Sequence, residues 1–351
     1  MSYSFRTIMI VHAAGHTERD SHGGVPGGER VRWRAFRAVI ANRANANSAG
    51  AAADLRSTLM TRTFVVVGAS TGLGRAAARE LAREHRVIAC GRDVTRMRAA
   101  VPGAEVLRVD LTELADVARL GDELAARGPL DALICNAGVQ TLGPARFTRD
   151  QIEETFAVNH LAHYALATRL LPQLGRIVFV GSASLDPRDR GGRAFGFRGG
   201  QYTTARALAA GEGDPAADDH HRAMDRYATS KLCNLLVTYA FARRGIPAYA
   251  LDPGLMPGTG LARERNVVVR LLWNTVLRAF APLLPGASTI GRSGRALAWL
   301  ASDPSIGTEH RYYDYRRRPL DTWSGALRED WAEDLERTSR ELITERVRAG
   351  A

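Results

Sequence analysis

Lysine is almost missing from this chain. Among 351 residues there are 48 basic Lys or Arg side chains, and every one except Lys231 is arginine. A GC-rich coding sequence produces such a bias, so the one lysine that persists against it calls for a reason. Cysteine is scarce as well. Cys90, Cys135 and Cys233 show no C-x-x-C and no paired spacing, which excludes a disulfide framework and fits buried thiols in a reducing compartment. No stretch of about 18 residues is apolar and uncharged enough to span a bilayer. The N-terminus lacks the basic start, apolar run and small-residue cleavage site of a secretory signal. A cytoplasmic location is the expectation.

What is present is ordinary globular composition, 45% hydrophobic and 24% charged. The formal charge of +11 is spread along the chain rather than gathered on one face or tail, so a nucleic-acid partner is not expected. Residues 1–60 carry little periodic pattern, a Gly-rich run from Gly23 to Gly28 and the Ala/Asn-rich stretch Ala44–Ala53. They read as an extension without a fold of its own, with Met60 as a candidate start. His12, His16 and His22 sit in no helical pattern, and no metal site is expected. Residues 61–351 form the expected catalytic domain.

From residue 63 short apolar runs alternate with helical periods. The runs are Phe64–Val67, Arg86–Cys90, Glu105–Val109, Leu130–Cys135, Arg176–Val180 and Pro247–Leu251, with a last strand at Arg311–Tyr315. Strands separated by helices imply βαβ units with right-handed crossovers, hence an α/β, doubly wound parallel sheet of Rossmann type with helices on both faces. About 40 residues, Ser184–Arg222, interrupt that rhythm. A loop this long leaving the carboxyl edge of the sheet is expected to wall or cap the site.

The first strand runs into Gly68-Ala69-Ser70-Thr71-Gly72-Leu73-Gly74 and then a helix. Glycines there permit a tight turn and let backbone N–H groups approach a pyrophosphate at the positive end of the helix. The strand–turn–helix context strengthens the motif. The same residues spell G-x-S-x-G, the hydrolase nucleophile elbow. That rival is disfavoured because the turn follows the first strand and no HGGG-type oxyanion loop precedes it.

With these and five further motifs the chain resembles the short-chain dehydrogenase/reductase family from about residue 62 onward. Gly68, Gly72 and Gly74 match its glycine spacing, Asn136-Ala137-Gly138 its N-A-G motif, Asn159 its catalytic Asn and Ser182 its catalytic Ser. Tyr227 and Lys231 match its Y-x-x-x-K, and Pro253-Gly254 its Pro-Gly. Asn159-His160-Leu161, Ser230-Lys231-Leu232-Cys233-Asn234, the long insertion and Gly260-Leu261-Ala262-Arg263 are similar to the branch holding protochlorophyllide reductases and retinol-dehydrogenase-like enzymes. Light-dependent protochlorophyllide reductases carry a cysteine directly after the Pro-Gly, where this chain has Leu255.

Tyrosine has an ordinary pKa of about 10 and needs a cation nearby to exchange its proton near neutrality. Lys231, four residues on, shares a helix face with Tyr227. The resemblance implies that Lys231 also holds the nicotinamide ribose, that Ser182 holds the substrate oxygen, and that Asn159 positions a water. Ser184 is the competitor for the serine role. At the end of the second strand Gly91 is followed by Arg92, which suits the 2′-phosphate of NADP, while Asp93 keeps NAD open. Asp110-Leu111 fits the adenine-contacting pair.

The expected function is therefore NADP-dependent hydride transfer between the nicotinamide and a hydrophobic carbonyl or alcohol, with Tyr227 as acid/base. Protochlorophyllide-reductase-like C=C reduction and a non-catalytic dinucleotide sensor or scaffold are the alternatives. After the Pro-Gly, Asn266–Leu284 is apolar apart from a stripe of Arg270, Asn274 and Arg278. It is expected to be a substrate lid, with contact to a membrane surface as the competing reading. Homo-oligomerisation is left open. Arg316-Arg317-Arg318 reads as a solvated run, and Trp323 and Trp331 as packing for the C-terminal helix.

Overall fold

The computed structural model describes residues 61–256 and 286–350. The extension 1–60, the lid segment Asn266–Leu284 with Arg270, Asn274 and Arg278, and Gly260-Leu261-Ala262-Arg263 lie outside the described residues.

Seven strands form one parallel sheet: β1 Thr63–Val67, β2 Arg86–Gly91, β3 Glu105–Arg108, β4 Ala132–Cys135, β5 Ile177–Val180, β6 Ala248–Asp252 and β7 Tyr312–Asp314. Their order is β3-β2-β1-β4-β5-β6-β7. The helices are α1 Gly72–Leu81, α2 Val94–Ala100, α3 Leu114–Ala125, α4, α5 Arg190–Ala194, α6 Ala205–Ala209, α7 Asp219–Arg243, α8 Ile290–Ser302 and α9 Glu329–Gly350. Helix α4 is composite: Glu154–Phe156, a π turn over Ala157–Leu161, then Ala162–Leu170.

Central strands are continuous apolar runs because both of their faces are covered. Phe64, Val66, Ala89, Ile134, Val178 and Leu251 point into one core, with α1, Met97 of α2 and α8. Gly294 of α8 lets that helix approach α1, since a Cβ there would lie 2.4 Å from the Cβ of Ala76. On the opposite face α7 covers the sheet, with Phe241 6.4 Å from Phe179. Helix α9 packs across α7, α4 and α3. His160 and Ser339 join α4 to α9 at 3.0 Å.

The strand order reverses between β1 and β4, and in such sheets a crevice opens there at the carboxyl ends. The phosphate loop leaves β1 and the Asn136-Ala137-Gly138 segment leaves β4, so both motifs line that crevice. The long insertion is built into the fold. Arg198 pairs with Asp225 of α7, the Gln201 N–H donates to Thr229 Oγ1 at 2.9 Å, and the Tyr202 hydroxyl donates to Asp334 of α9 at 2.8 Å. Trp331 stacks on Tyr202 at 5.1 Å and meets Trp323 at 6.5 Å, as packing residues would. All three cysteines are buried and free, and desolvation pushes their thiols up. Arg316, Arg317 and Arg318 are exposed.

Candidate active site

The phosphate loop is shaped by what its glycines exclude. Gly68 has φ +88°, and a Cβ on it would lie 2.8 Å from the Cα of Ala137. A Cβ on Gly74 would lie 2.3 Å from both Asn136 Nδ2 and the Gly68 carbonyl oxygen. Asn136 therefore reaches the loop, donating from Nδ2 to the Gly68 oxygen at 3.0 Å. Thr71 precedes α1 in extended conformation without capping it through its side chain. The first-turn N–H groups have no intrahelical partner, and Ser70, Gly72 and Leu73 lie on this turn, with the Leu73 side chain anchored in the core. This cradle fits a pyrophosphate.

At the end of β2, Arg92 is exposed. The Asp93 carboxylate is occupied, accepting the Arg96 N–H at 2.9 Å as the cap of α2. Asp110 Oδ1 accepts from the backbone and hydroxyl of Thr112 at 3.0 and 2.8 Å, and Leu111 beside it is buried.

The catalytic candidates converge on the other side of the crevice. Asn159 lies in the π turn of α4, a distortion frequent at functional sites. Its Oδ1 accepts the Val139 N–H at 2.7 Å, and its Nδ2 donates to the Val139 oxygen and to Ser230 Oγ, both at 2.9 Å. Both amide protons are thus in use, which leaves the second lone pair of Oδ1 or the backbone carbonyl to hold a water. Ser182, after β5, accepts from the Ser184 hydroxyl at 2.9 Å. Ser182, not Ser184, is the serine whose hydroxyl acts on Tyr227, pulling its pKa down.

Tyr227 and Lys231 are both buried. Lys231 Nζ lies 5.6 Å from the Tyr227 ring centroid and donates to the Val180 oxygen at 3.2 Å. Burial lowers the Lys231 pKa to about 8. The sequence led us to expect a depressed tyrosine; instead burial, then the charge of Asp252, hold Tyr227 above its usual range, with Ser182 pulling down. The reason is geometric: the ammonium lies over the ring and bonds a backbone carbonyl rather than the phenol. Phe197 of the insertion lies 5.9 Å from the Tyr227 ring, so the insertion does wall the site. The Pro253 carbonyl is held by Ser293 Oγ at 2.7 Å, and Gly254 has φ +69° with Tyr315 against it.

Two residues of the site were missed in the sequence. Asp252 ends β6, accepts the Gly254 N–H at 2.9 Å, and is pushed up to about 6 by burial. An acid closing an apolar strand was its only signal. His163 is fully buried, with Nε2 2.9 Å from the Ala137 oxygen. Among the described residues no cluster of three or more potential ligands could hold a metal, and no helix is long and apolar enough to cross a membrane.

Comparison with known proteins identifies the family. The short chain dehydrogenase family model matches residues 62–191. Protochlorophyllide reductase A, chloroplastic, of Oryza sativa subsp. japonica is 33% identical over 315 residues, covering 80% of each chain. Protochlorophyllide reductase of Avena sativa is 32% identical over 287 residues, covering 72% of this chain and 89% of its own. A solved structure from Mycobacterium paratuberculosis is 26% identical with TM-score 0.57, over 82% of this chain and 97% of that one. Another, from Beutenbergia cavernae with bound NADP, is 25% identical with TM-score 0.50, over 73% and 96%. The chain belongs to the short-chain dehydrogenase/reductase family of NAD(P)-binding oxidoreductases, near its protochlorophyllide reductase branch.

Proposed function

We propose that the chain is an NADPH-dependent reductase of hydrophobic carbonyl compounds in which Tyr227 delivers the proton. The observation that carries this reading is the meeting of Tyr227, Ser182 and Lys231 at the carboxyl edge of the sheet, across from the glycine cradle. Bound NADPH would supply the hydride. The Ser182 hydroxyl holds the substrate oxygen, and Tyr227, kept protonated by its buried position, gives it a proton as charge develops. Lys231, with Nζ 5.6 Å from the ring centroid, is the cation placed to stabilise the phenolate that forms. A tyrosine held above its ordinary pKa carries its proton before the hydride arrives, as the reductive direction requires.

NADP is favoured over NAD by the exposed Arg92 and by the commitment of Asp93 to its helix cap. The relative with bound NADP supports the same choice. The aromatic wall at Phe197 favours an apolar substrate.

A second reading, reduction of a carbon–carbon double bond, uses the same hydride and proton donors and rests on the 33% identity to the rice protochlorophyllide reductase. Leu255, in place of the cysteine that light-dependent members carry, weighs against a photochemical form of it.

The deciding experiment is NADPH consumption in the dark across a panel of lipophilic aldehydes, ketones and quinones. Consumption with at least one aldehyde or ketone is expected. A protein that binds NADPH yet consumes it with none of them contradicts the proposal.

A further inference from the structure

The backbone just beyond β4 lies at the middle of the crevice, and its polar groups have left the strand ladder. Cys135 is the last residue of β4. The Ala137 N–H still finds β1, donating to the Val67 oxygen at 2.9 Å. The Ala137 carbonyl and both polar groups of Val139 need other partners, because an unpaired buried backbone group is costly. All three are satisfied by side chains of α4: the Val139 N–H and oxygen by Asn159, and the Ala137 oxygen by His163.

Between them passes Gly138, which runs so close to the catalytic groups that a Cβ there would lie 3.2 Å from Asn159 Oδ1 and 3.6 Å from Lys231 Nζ. On its other flank Ala137 is packed against Gly68 of the phosphate loop. The segment is therefore the floor joining the phosphate cradle to Lys231. Asn159 and His163 are four residues apart on α4 and share one of its faces, so both reach the same short segment.

We propose that His163 is a positioning residue, its imidazole donating from Nε2 to the Ala137 carbonyl and so fixing the floor on which the nicotinamide end of the dinucleotide rests. This rests on the dinucleotide reading given above. A carbonyl only accepts, so the proton is on Nε2 and the ring is the neutral tautomer. Nδ1 is buried with no hydrogen-bond partner among the described residues. Burial and, secondarily, the nearby Lys231 charge keep the ring neutral by lowering its pKa to about 4. A second proton would have no acceptor at Nδ1 and would be opposed by the nearby ammonium. His163 holds the carbonyl of Ala137 rather than any reacting group, so its effect is expected to fall mainly on the nicotinamide end.

The test compares two nucleotides by fluorescence titration of the full chain: NADPH, and 2′,5′-ADP, which carries the adenine half alone. His163→Phe keeps an aromatic ring and loses the donor. It should weaken NADPH about tenfold, as an unpaired buried carbonyl would, while 2′,5′-ADP changes less than about twofold. His163→Gln, whose amide nitrogen falls near the place of Nε2, should restore NADPH binding, whereas His163→Asn, whose amide falls near Nδ1, should not. The Gln and Asn pair decides the matter if the Phe variant does not fold. Unchanged NADPH affinity in His163→Phe, equal weakening of both nucleotides, or equal affinities of the Gln and Asn variants would each overturn the inference. Wild-type protein that binds neither nucleotide would overturn the dinucleotide reading itself, and this inference with it.

Discussion

On the two sides of the crevice the groups that face it differ in kind. Where β1 and β2 end, the surface is backbone: glycines at 68, 72 and 74, the open turn of α1, and an asparagine that grips the loop. Where β5 and β6 end, the surface is polar side chains, the half-buried Ser182 and Asp252 and the buried Tyr227 and Lys231, several with displaced pKa values. A pyrophosphate carries fixed charge and asks only for oriented N–H groups close by, which backbone supplies once no Cβ intervenes. Proton transfer asks for a group whose affinity for a proton can be tuned, which only a side chain in a chosen environment supplies. The first side is accordingly sensitive to added volume and the second to changed chemistry.

Substitutions on each side should separate the two. A large loss is expected from Lys231→Arg, which preserves charge but replaces a compact ammonium with a planar fork. NADPH-dependent turnover should fall by about 1,000-fold, within the range typical of acid–base catalysis, while titration with 2′,5′-ADP remains unchanged. Gly68→Val should act the other way round. The added side chain must occupy space next to Ala137 at φ +88°, so NADPH affinity should drop about 100-fold, by the same titration. Smaller again is Arg92→Ala: the ratio of kcat/KM for NADPH to that for NADH should fall by roughly tenfold, the worth of one exposed phosphate contact.

The mildest effect concerns stability. Burial lowers His160 to about 3 and His163 to about 4, against about 6.5 for an unfolded chain. Between those values the unfolded state binds more protons, so this contribution is complete above about 6.5 and is lost as pH falls below it. Asp252, raised to about 6, acts in the opposite sense, but two histidines outweigh one carboxyl. Thermal melts at pH 7.5 and pH 5 should show a drop in Tm that is smaller in His160→Leu than in wild type.

The same contrast governs what could be read in advance. The glycine turn, the N-A-G segment and the Tyr–Lys pair have short-range signatures, and each falls where the spacing places it. Strands were legible because both faces are buried, so their apolar runs are unbroken. The ends are less so: Leu130, included in the fourth run, makes only an isolated bridge to Leu174. Helix α7 begins at Asp219, two turns ahead of Tyr227, because Asp218 caps it. The π turn of α4, His163 against Ala137 and the docking of α9 through Ser339 left no local trace. They join groups 26 to 179 residues apart, and such pairings are set by tertiary packing alone. Asp252 was visible as a letter, but not its burial, nor the upward push it gives Tyr227.

The central claim, that one side binds by backbone and the other reacts through a buried tyrosine, is tested most directly by Tyr227→Phe. NADPH titration and NADPH consumption, with whichever carbonyl the panel identifies, are measured on the same preparation. The account predicts a dissociation constant within about threefold of wild type and consumption reduced by about 1,000-fold or more. Consumption that survives the substitution unchanged would contradict it.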